Sequence, residues 1–295
     1  MANATAQLPE TSSGSRTGFL LGMSLPGGLV SLILILFALG LVVFLGFRVN
    51  GGSLMGDGFT AANFRTVFSD PLYITVTLRS LAIAGLVTMA TVVTAYPIAY
   101  YLAFHAGRRR SLILFLVTLP FWTSYLLRVF AWKIVLAYNG VLNSFLTGTG
   151  ILSEPSLAFL NTPAAVIVTL AHAYAPFAIL PIYVALETMP KSLVEAAADL
   201  GARPFQTFRR VILPYSMPGV LAGALVVFVP TIGDYVTPAM VGGPSSTMIG
   251  TMIQAQFGKA NDWPFGAALS VSVMLMILAV LLFVRMANRR LGSGS

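Results

Sequence analysis

The chain has 295 residues, of which 57 % are hydrophobic and only 9 % charged, and its mean hydropathy is +0.87. A soluble globular domain carries about 25 % charged residues, so this composition excludes a soluble protein and predicts an integral membrane protein. The chain contains no cysteine, which excludes disulfides and thiol chemistry, and its formal net charge is +8.

The chain begins with a polar stretch rich in Ser, Thr and Gly (1–18), and residues 1–26 predict a disordered tail. Six apolar runs follow, each long enough for the roughly 20 residues that a membrane-spanning helix needs. The first run is too long for a signal-peptide core and is expected to be retained as a span. The six predicted spans lie near 27–47, 72–104, 111–137, 163–187, 216–240 and 264–286.

Two of these runs depart from a simple span. The second run is too long for a helix that crosses the bilayer upright, so we expect it to tilt or to extend beyond the bilayer. Pro97 predicts a kink within it. The third is interrupted by Arg128 and Lys133 and is expected to leave the membrane before its end.

The distribution of basic residues predicts the orientation. If the N-terminus lies inside, ten basic residues fall in cytoplasmic segments and three in outer loops, so the positive-inside rule favours an N-in, C-in arrangement. The predicted six-span domain at 27–287 then includes a cytoplasmic loop at 188–215, and a cytoplasmic tail at 288–295 follows it. The inner residues are Arg16, Arg108, Arg109, Arg110, Lys191, Arg203, Arg209, Arg210, Arg289 and Arg290, and the outer ones are Arg48, Arg65 and Lys259.

The loop sequence EAAADLGARPFQTFRRVILP at 195–214 predicts two short helices with a break. The first is rich in helix formers and is interrupted at Gly201. Pro204 suits the first turn of the second helix, and Pro214 is expected to end it. Asp199 and Arg203 have the spacing of a stabilising pair, but Gly201 between them predicts that Arg203 stays available to a partner.

This loop resembles the EAA signature of ABC-importer permeases: Glu-Ala-Ala, three residues, Gly, nine residues, an aliphatic residue, any residue, Leu-Pro. The matching positions are Glu195, Ala196, Ala197, Gly201, Val211, Leu213 and Pro214, with Val211 where Ile is usual. In that family the segment forms coupling helices that fit a groove on a cytoplasmic ATPase subunit. The resemblance therefore implies that these residues, with Arg203, dock an ATPase.

Further stretches resemble the permeases of bacterial spermidine/putrescine importers. The resemblance covers about 64–287 and includes PFWTSYLLRVFAWKIVL (120–136), GDYVTPAMVGG (233–243) and QFGKANDWPFGAALS (256–270). It implies an all-α, six-span, type I (MetI-like) permease of the bacterial inner membrane. The implied partners are a second, different permease chain, two ATP-binding cassette subunits and a periplasmic binding protein. Small residues suited to close helix contact are Gly219, Ala222, Gly223 and Ala224.

No residue pattern in the chain predicts catalysis. A GxxxxGK[ST] phosphate loop is absent from the sequence, so ATP and Mg²⁺ are expected to be used by the partner ATPase, and no cofactor is expected here. The two histidines, His105 and His172, are too far apart in sequence to suggest a metal pair and are expected to be hydrogen-bonded interior or interfacial residues.

A polyamine needs carboxylates, carbonyl oxygens and aromatic rings along its path. Asp234, an ionisable residue at the end of the fifth run, is the first candidate, unless the span ends earlier and Asp234 caps a helix in an outer loop. Tyr235, Trp122, Tyr125 and Tyr174 are aromatic candidates, with core packing or an interfacial belt as the alternative. Glu154 and Asp262 are expected in outer loops, either as solvated charges or as contacts for the binding protein.

Three cations within the runs argue against a cationic substrate if they face it. Arg79, Arg128 and Lys133 would repel a polyamine, so we expect them at helix interfaces, at the membrane boundary or beside a carboxylate such as Asp234. If one lines the pathway, an opine or another amino-acid-like substrate gains support. An ion-gradient-driven secondary transporter is a further alternative, but the sequence shows neither an internal repeat nor paired intramembrane carboxylates.

Overall fold

The computed structural model describes residues 13–50 and 58–292, and side chains within 27–50, within 58–283 and at 286. Of the terminal tails predicted at 1–26 and 288–295, the parts at 1–12 and 293–295 lie outside these residues. The described part is almost entirely helical. Its α-helices are α1 (Ser13–Gly46), α2 (Ala62–Ser69), α3 (Pro71–Phe104), α4 (Arg110–Thr118), α5 (Tyr125–Leu136), α6 (Val141–Gly148), α7 (Pro163–Glu187), α8 (Lys191–Asp199), α9 (Pro204–Thr207), α10 (Leu213–Gly233), α11 (Ile249–Gly258) and α12 (Trp263–Gly292).

Six segments of the described chain are long and apolar enough to cross a membrane, which confirms the predicted number of spans. They are Gly27–Gly46, Pro71–Phe104, Tyr125–Gly148, Pro163–Glu187, Pro204–Gly233 and Trp263–Phe283. Helix α1 begins at Ser13, within the segment 1–26 for which the sequence predicts a disordered tail, so the structure differs from that prediction between residues 13 and 26.

The third span was predicted wrongly as one run over 111–137. Helix α4 ends at Thr118, and a 3₁₀ turn over Leu119–Trp122 leads to extended backbone at Thr123. Pro120 lies in that turn, where its missing N–H removes a helical hydrogen bond, and the Thr123 hydroxyl donates to the Pro120 carbonyl at 2.7 Å. The helix therefore restarts at Tyr125, and the candidate span comprises α5 and α6.

The core is built from α3, α7 and α10, which pack side by side. Two glycines of α10 allow this approach: a Cβ atom at Gly219 would overlap Ala185 and the Pro181 carbonyl, and one at Gly223 would lie 3.2 Å from Ala178. The small residues of the fifth span thus make close helix contact within this chain, against α7. Ala222, on another face of α10, is exposed.

The fifth span differs from its prediction at both ends. Pro214 does not end the second loop helix, because a π-helical turn over Phe208–Ile212 joins α9 to α10 and the helix continues through Pro214 to Gly233. At Pro214 the helix loses one N–H donor, and the wider turn before it accommodates that loss. The span stops at Gly233 rather than 240, because Asp234 has extended backbone geometry.

Candidate functional site

The break predicted in the 195–214 loop is present. Helix α8 ends with N–H donors of Gly201 and Ala202 bonded to the carbonyls of Ala198 and Ala197, at 2.9 and 3.0 Å. Gly201 has φ +76°, a left-handed conformation that costs a side-chain-bearing residue free energy. Pro204 begins α9 at the position predicted for it.

The outer surface of this helical hairpin is apolar at its tip. Leu200, just before the break, is 88 % exposed, and Phe205, just after it, is 72 % exposed. Glu195 is exposed on α8. Arg203 is exposed, and the salt bridges of the described residues include no ion pair between Asp199 and Arg203.

The inner surface of the hairpin is attached to the core. The Phe208 ring makes edge contacts with Tyr96 and Tyr100 of α3, with ring centroids 5.7 and 6.1 Å apart. Ile212 is buried, and Val194 of α8 packs on the core. A displacement of the hairpin would therefore move α3 and α10 with it.

Hydrogen-bonded side chains join the start of α5 to the residues after α10. The Tyr125 hydroxyl donates to Asp234 Oδ2 at 2.7 Å and lies 2.7 Å from the Thr237 hydroxyl. Asp234 Oδ1 accepts the Val236 N–H at 3.0 Å. Asp234 is 8 % exposed and directly follows α10. It is therefore a buried carboxylate that directly follows α10 and caps the turn after it, and its place in a substrate pathway stays a prediction.

Tyr125 and Tyr174 line one cleft of about 370 Å³. Their rings lie nearly parallel with centroids 6.5 Å apart. Tyr235 lies outside this cleft, and Trp122 is 80 % exposed beside it. Of the predicted pathway residues, the structure thus brings Tyr125, Tyr174 and Asp234 together.

Arg128 lines the same cleft. The sequence predicted it at a helix interface, at the membrane boundary or beside a carboxylate. Its guanidinium donates to the carbonyls of Ala173 at 2.9 Å, Pro120 at 2.6 Å and Thr123 at 3.3 Å. The carbonyls of Pro120 and Thr123 belong to the segment between α4 and α5, which contains the 3₁₀ turn. Backbone carbonyls without donors are costly within a membrane. Arg128 therefore stabilises the irregular segment between α4 and α5, a role that sequence reasoning missed.

The remaining polar candidates are dispersed. His172 accepts a hydrogen bond from the Trp132 indole at 3.1 Å, as expected for a satisfied histidine. Asp262 caps α12 by accepting the Phe265 N–H, and Glu154 and Lys133 are exposed. No group of three or more His, Cys, Asp or Glu residues that could hold a metal occurs within the described part of the chain.

Comparison with known proteins assigns this arrangement to a family. The chain is 42 % identical to the spermidine/putrescine transport system permease protein PotB of Escherichia coli (strain K12), over 79 % of this chain and 84 % of that one. It is 39 % identical to the inner membrane ABC transporter permease protein YdcU of the same organism, over 77 % and 75 % of the two chains.

Solved structures support the fold. A bacterial ABC transporter involved in the import of the acidic polysaccharide alginate matches 94 % of this chain and 96 % of its own, with a TM-score of 0.70 and 18 % identity. The MetNI methionine ABC transporter matches 76 % of this chain and 97 % of its own, with a TM-score of 0.53 and 21 % identity. The family model described as "Binding-protein-dependent transport system inner membrane component" matches residues 58–293, and the chain belongs to this family of multi-pass inner-membrane permeases.

Proposed function

We propose that this chain is the transmembrane permease subunit of an ATP-driven importer of polyamines, such as spermidine and putrescine, or of a related small organic cation. The observation that carries the substrate class is the 42 % identity to PotB over most of both chains. The apolar and aromatic composition of the 370 Å³ cleft fits a flexible cation with methylene segments.

The energy source in this proposal is a pair of separate ATPase subunits that bind ATP and Mg²⁺. The hairpin formed by α8 and α9 is their docking element. Exposed Leu200 and Phe205 would be anchors, since apolar side chains of this size contribute about 1.5–3 kcal/mol when they become buried. The attachment of Phe208 to α3 would transmit ATPase movement to the spans, with Glu195, Ala196, Ala197, Gly201, Arg203, Val211, Leu213 and Pro214 forming the coupling segment.

The proposed assembly contains a second permease chain, a periplasmic binding protein and this chain in an N-in, C-in orientation. The ten-to-three excess of basic residues in the inner segments supports the orientation. Arg110 at the start of α4 forms a salt bridge with Glu187 at the end of α7, so these two helix ends lie together. This contact supports assigning the basic residues before α4 and the α8–α9 hairpin to the same side of the membrane. The substrate pathway would follow Tyr125, Tyr174, Asp234, Tyr235 and Trp122.

One observation favours a second candidate, an opine or another amino-acid-like substrate. Arg128 contributes a permanent cation to the cleft that holds Tyr125 and Tyr174, and a carboxylate on the substrate would be attracted to it. Its guanidinium already donates to three carbonyls, which reduces its availability to substrate and keeps the polyamine the preferred candidate.

The decisive experiment is reconstitution of the permease with its co-purifying partners in liposomes. We expect an ATPase with a phosphate loop to co-purify, and spermidine-loaded binding protein to stimulate ATP hydrolysis and uptake of radiolabelled spermidine. Calorimetry on the binding protein then identifies the cargo. Tight binding of an opine without polyamine binding would favour the second candidate, and uptake without any ATPase would exclude the ABC mechanism.

A further inference from the structure

A second cleft, which we call the α10–α11 cleft, lies between the end of α10 and α11. Its volume is about 390 Å³, and Gly233, Tyr235, Gly250, Gln254 and Phe257 line it together with Ile253 and Gly258. It is separate from the Tyr125–Tyr174 cleft, since the two share no lining residue. Gln254 and Phe257 drew no functional prediction from the sequence.

Backbone acceptors are concentrated at the floor of the α10–α11 cleft. Helix α10 ends at Gly233, and the last carbonyls of a helix have no intrahelical donors. Helix α11 approaches this end through Gly250: a Cβ atom there would lie 2.5 Å from the Gly233 carbonyl oxygen and 2.9 Å from that of Asp234. Gly250 therefore lets α11 pack closely against this end of α10, while Gly233 itself stays exposed and lines the cleft.

The walls of the cleft combine an amide with aromatic rings. Gln254 is exposed, and Tyr235 is 48 % exposed. The Phe257 ring is held by an edge contact with Trp263, with centroids 5.4 Å apart. Exposed backbone acceptors at the end of a span do not face lipid; they face protein or a water-filled cavity. The cleft therefore combines a backbone carbonyl, a side-chain amide and two aromatic rings.

We propose that the α10–α11 cleft is a transient subsite for one ammonium group of the transported amine and its adjoining methylene groups. The Gln254 side-chain oxygen and the Gly233 carbonyl accept from the ammonium, and the Tyr235 and Phe257 rings contact the methylenes and the cation. This inference rests on the proposed import of a polyamine and adds Gln254 and Phe257 as residues that select for positive charge.

The neutrality of this subsite suits transport. The nearby Asp234 carboxylate accepts from Tyr125 and from the Val236 N–H, so the ammonium meets carbonyl and amide oxygens in the α10–α11 cleft. Conduction requires binding strong enough for entry and weak enough for release. Neutral acceptors satisfy both conditions for a polycation.

A charge series at position 254 tests the subsite, with spermidine as the probe and the complete importer in liposomes. At saturating spermidine-loaded binding protein, we expect Gln254→Lys to reduce uptake at least tenfold, because a fixed cation a few ångströms from the ammonium repels it. Gln254→Glu should keep uptake at or above that of the unmodified importer, and Gln254→Ala and Phe257→Ala should fall between these extremes.

The matched control is Gln256, which lies on the same helix but does not line the cleft. Gln256→Lys and Gln256→Glu should leave uptake within twofold of the unmodified importer, and complex yield should be similar in all variants. Equal uptake by Gln254→Lys and Gln254→Glu, or an identical pattern at position 256, would overturn the subsite. Absence of spermidine uptake by the unmodified importer would instead overturn the proposed function itself.

Discussion

The Tyr125 hydroxyl donates a 2.7 Å hydrogen bond to Asp234 Oδ2, and this bond joins the first residue of α5 to the residue at which α10 ends. Tyr125 follows the irregular segment between α4 and α5, and Asp234 follows the last residue of α10. The bond therefore fixes two irregular segments of the membrane domain relative to each other, beside the cleft that Tyr125 and Tyr174 line.

Removing the phenol hydroxyl should weaken this junction. Tyr125→Phe leaves a buried carboxylate oxygen without one of its donors, which costs about 1–3 kcal/mol, so thermal unfolding of the purified complex should occur at a lower temperature. Tyr138→Phe, at a tyrosine that is 45 % exposed, is the control and should leave the midpoint unchanged. An unchanged midpoint in Tyr125→Phe would show that the hydrogen bond contributes nothing to stability.

The charge of Asp234 can be separated from its hydrogen bonds. Asp234→Asn retains an acceptor for the Val236 N–H, and its amide can donate to the Tyr125 oxygen. We expect polyamine uptake to fall while the ATPase subunits remain bound, because the negative charge beside the proposed pathway is lost. Normal uptake kinetics would limit Asp234 to ending α10.

The conformation of the α8–α9 hairpin should depend on the left-handed backbone at Gly201. A Cβ atom there meets nothing within 4 Å, so the cost of substitution is conformational rather than steric. Gly201→Val should lower ATP hydrolysis stimulated by the loaded binding protein, because a β-branched residue disfavours φ +76° by about 1–2 kcal/mol. Gly201→Asn, which tolerates this conformation, should retain most of the stimulation. Equal activity of both variants would contradict the role of the break.

Glu195→Ala tests the same surface without altering the backbone. Glu195 is exposed on α8, so its removal should leave the permease folded and inserted. We expect stimulated ATP hydrolysis and uptake to fall together in reconstituted complexes. Transport-coupled hydrolysis at the unmodified rate would remove Glu195 from the docking surface.

The tip of the hairpin should supply binding free energy to the ATPase. Leu200→Ala and Phe205→Ala should each weaken ATPase attachment about tenfold or more, as expected from burial of an apolar side chain, and the permease itself should retain its unfolding midpoint. Leu127→Ala, at a leucine of α5 that is 67 % exposed, is the control. Quantitative pull-down of the ATPase at increasing salt and detergent checks this difference, and equal retention by all three variants would argue against docking at the tip.

The features predicted correctly from sequence are local ones. The helix break at Gly201 and the N-terminal position of Pro204 depend on a few neighbouring residues, and both occur as expected. Pro214 was predicted wrongly to end a helix, because its tolerance depends on the π-helical turn before it and on Phe208 packing against α3. These are tertiary effects that local rules do not contain.

The polar contacts of the membrane domain could not be predicted for a related reason. Tyr125 and Asp234 are 109 residues apart, and nothing in hydropathy pairs them. The break near Pro120 was also missed, because the surrounding residues are apolar enough to resemble one continuous span. Arg128 was expected at a helix interface, at the membrane boundary or beside a carboxylate, and none of these alternatives names the backbone carbonyls that are its acceptors.

The continuity of the helix from Pro204 to Gly233 has a mechanical consequence. Its 30 residues, at about 1.5 Å each, span about 45 Å. The α8–α9 hairpin lies at one end and the α10–α11 cleft at the other. A tilt of about 5° would displace the far end by about 4 Å over that length, comparable to the width of an ammonium group. A small tilt that begins at Pro204 is therefore enough to change the width of the proposed subsite beyond Gly233 by about the size of its ligand group.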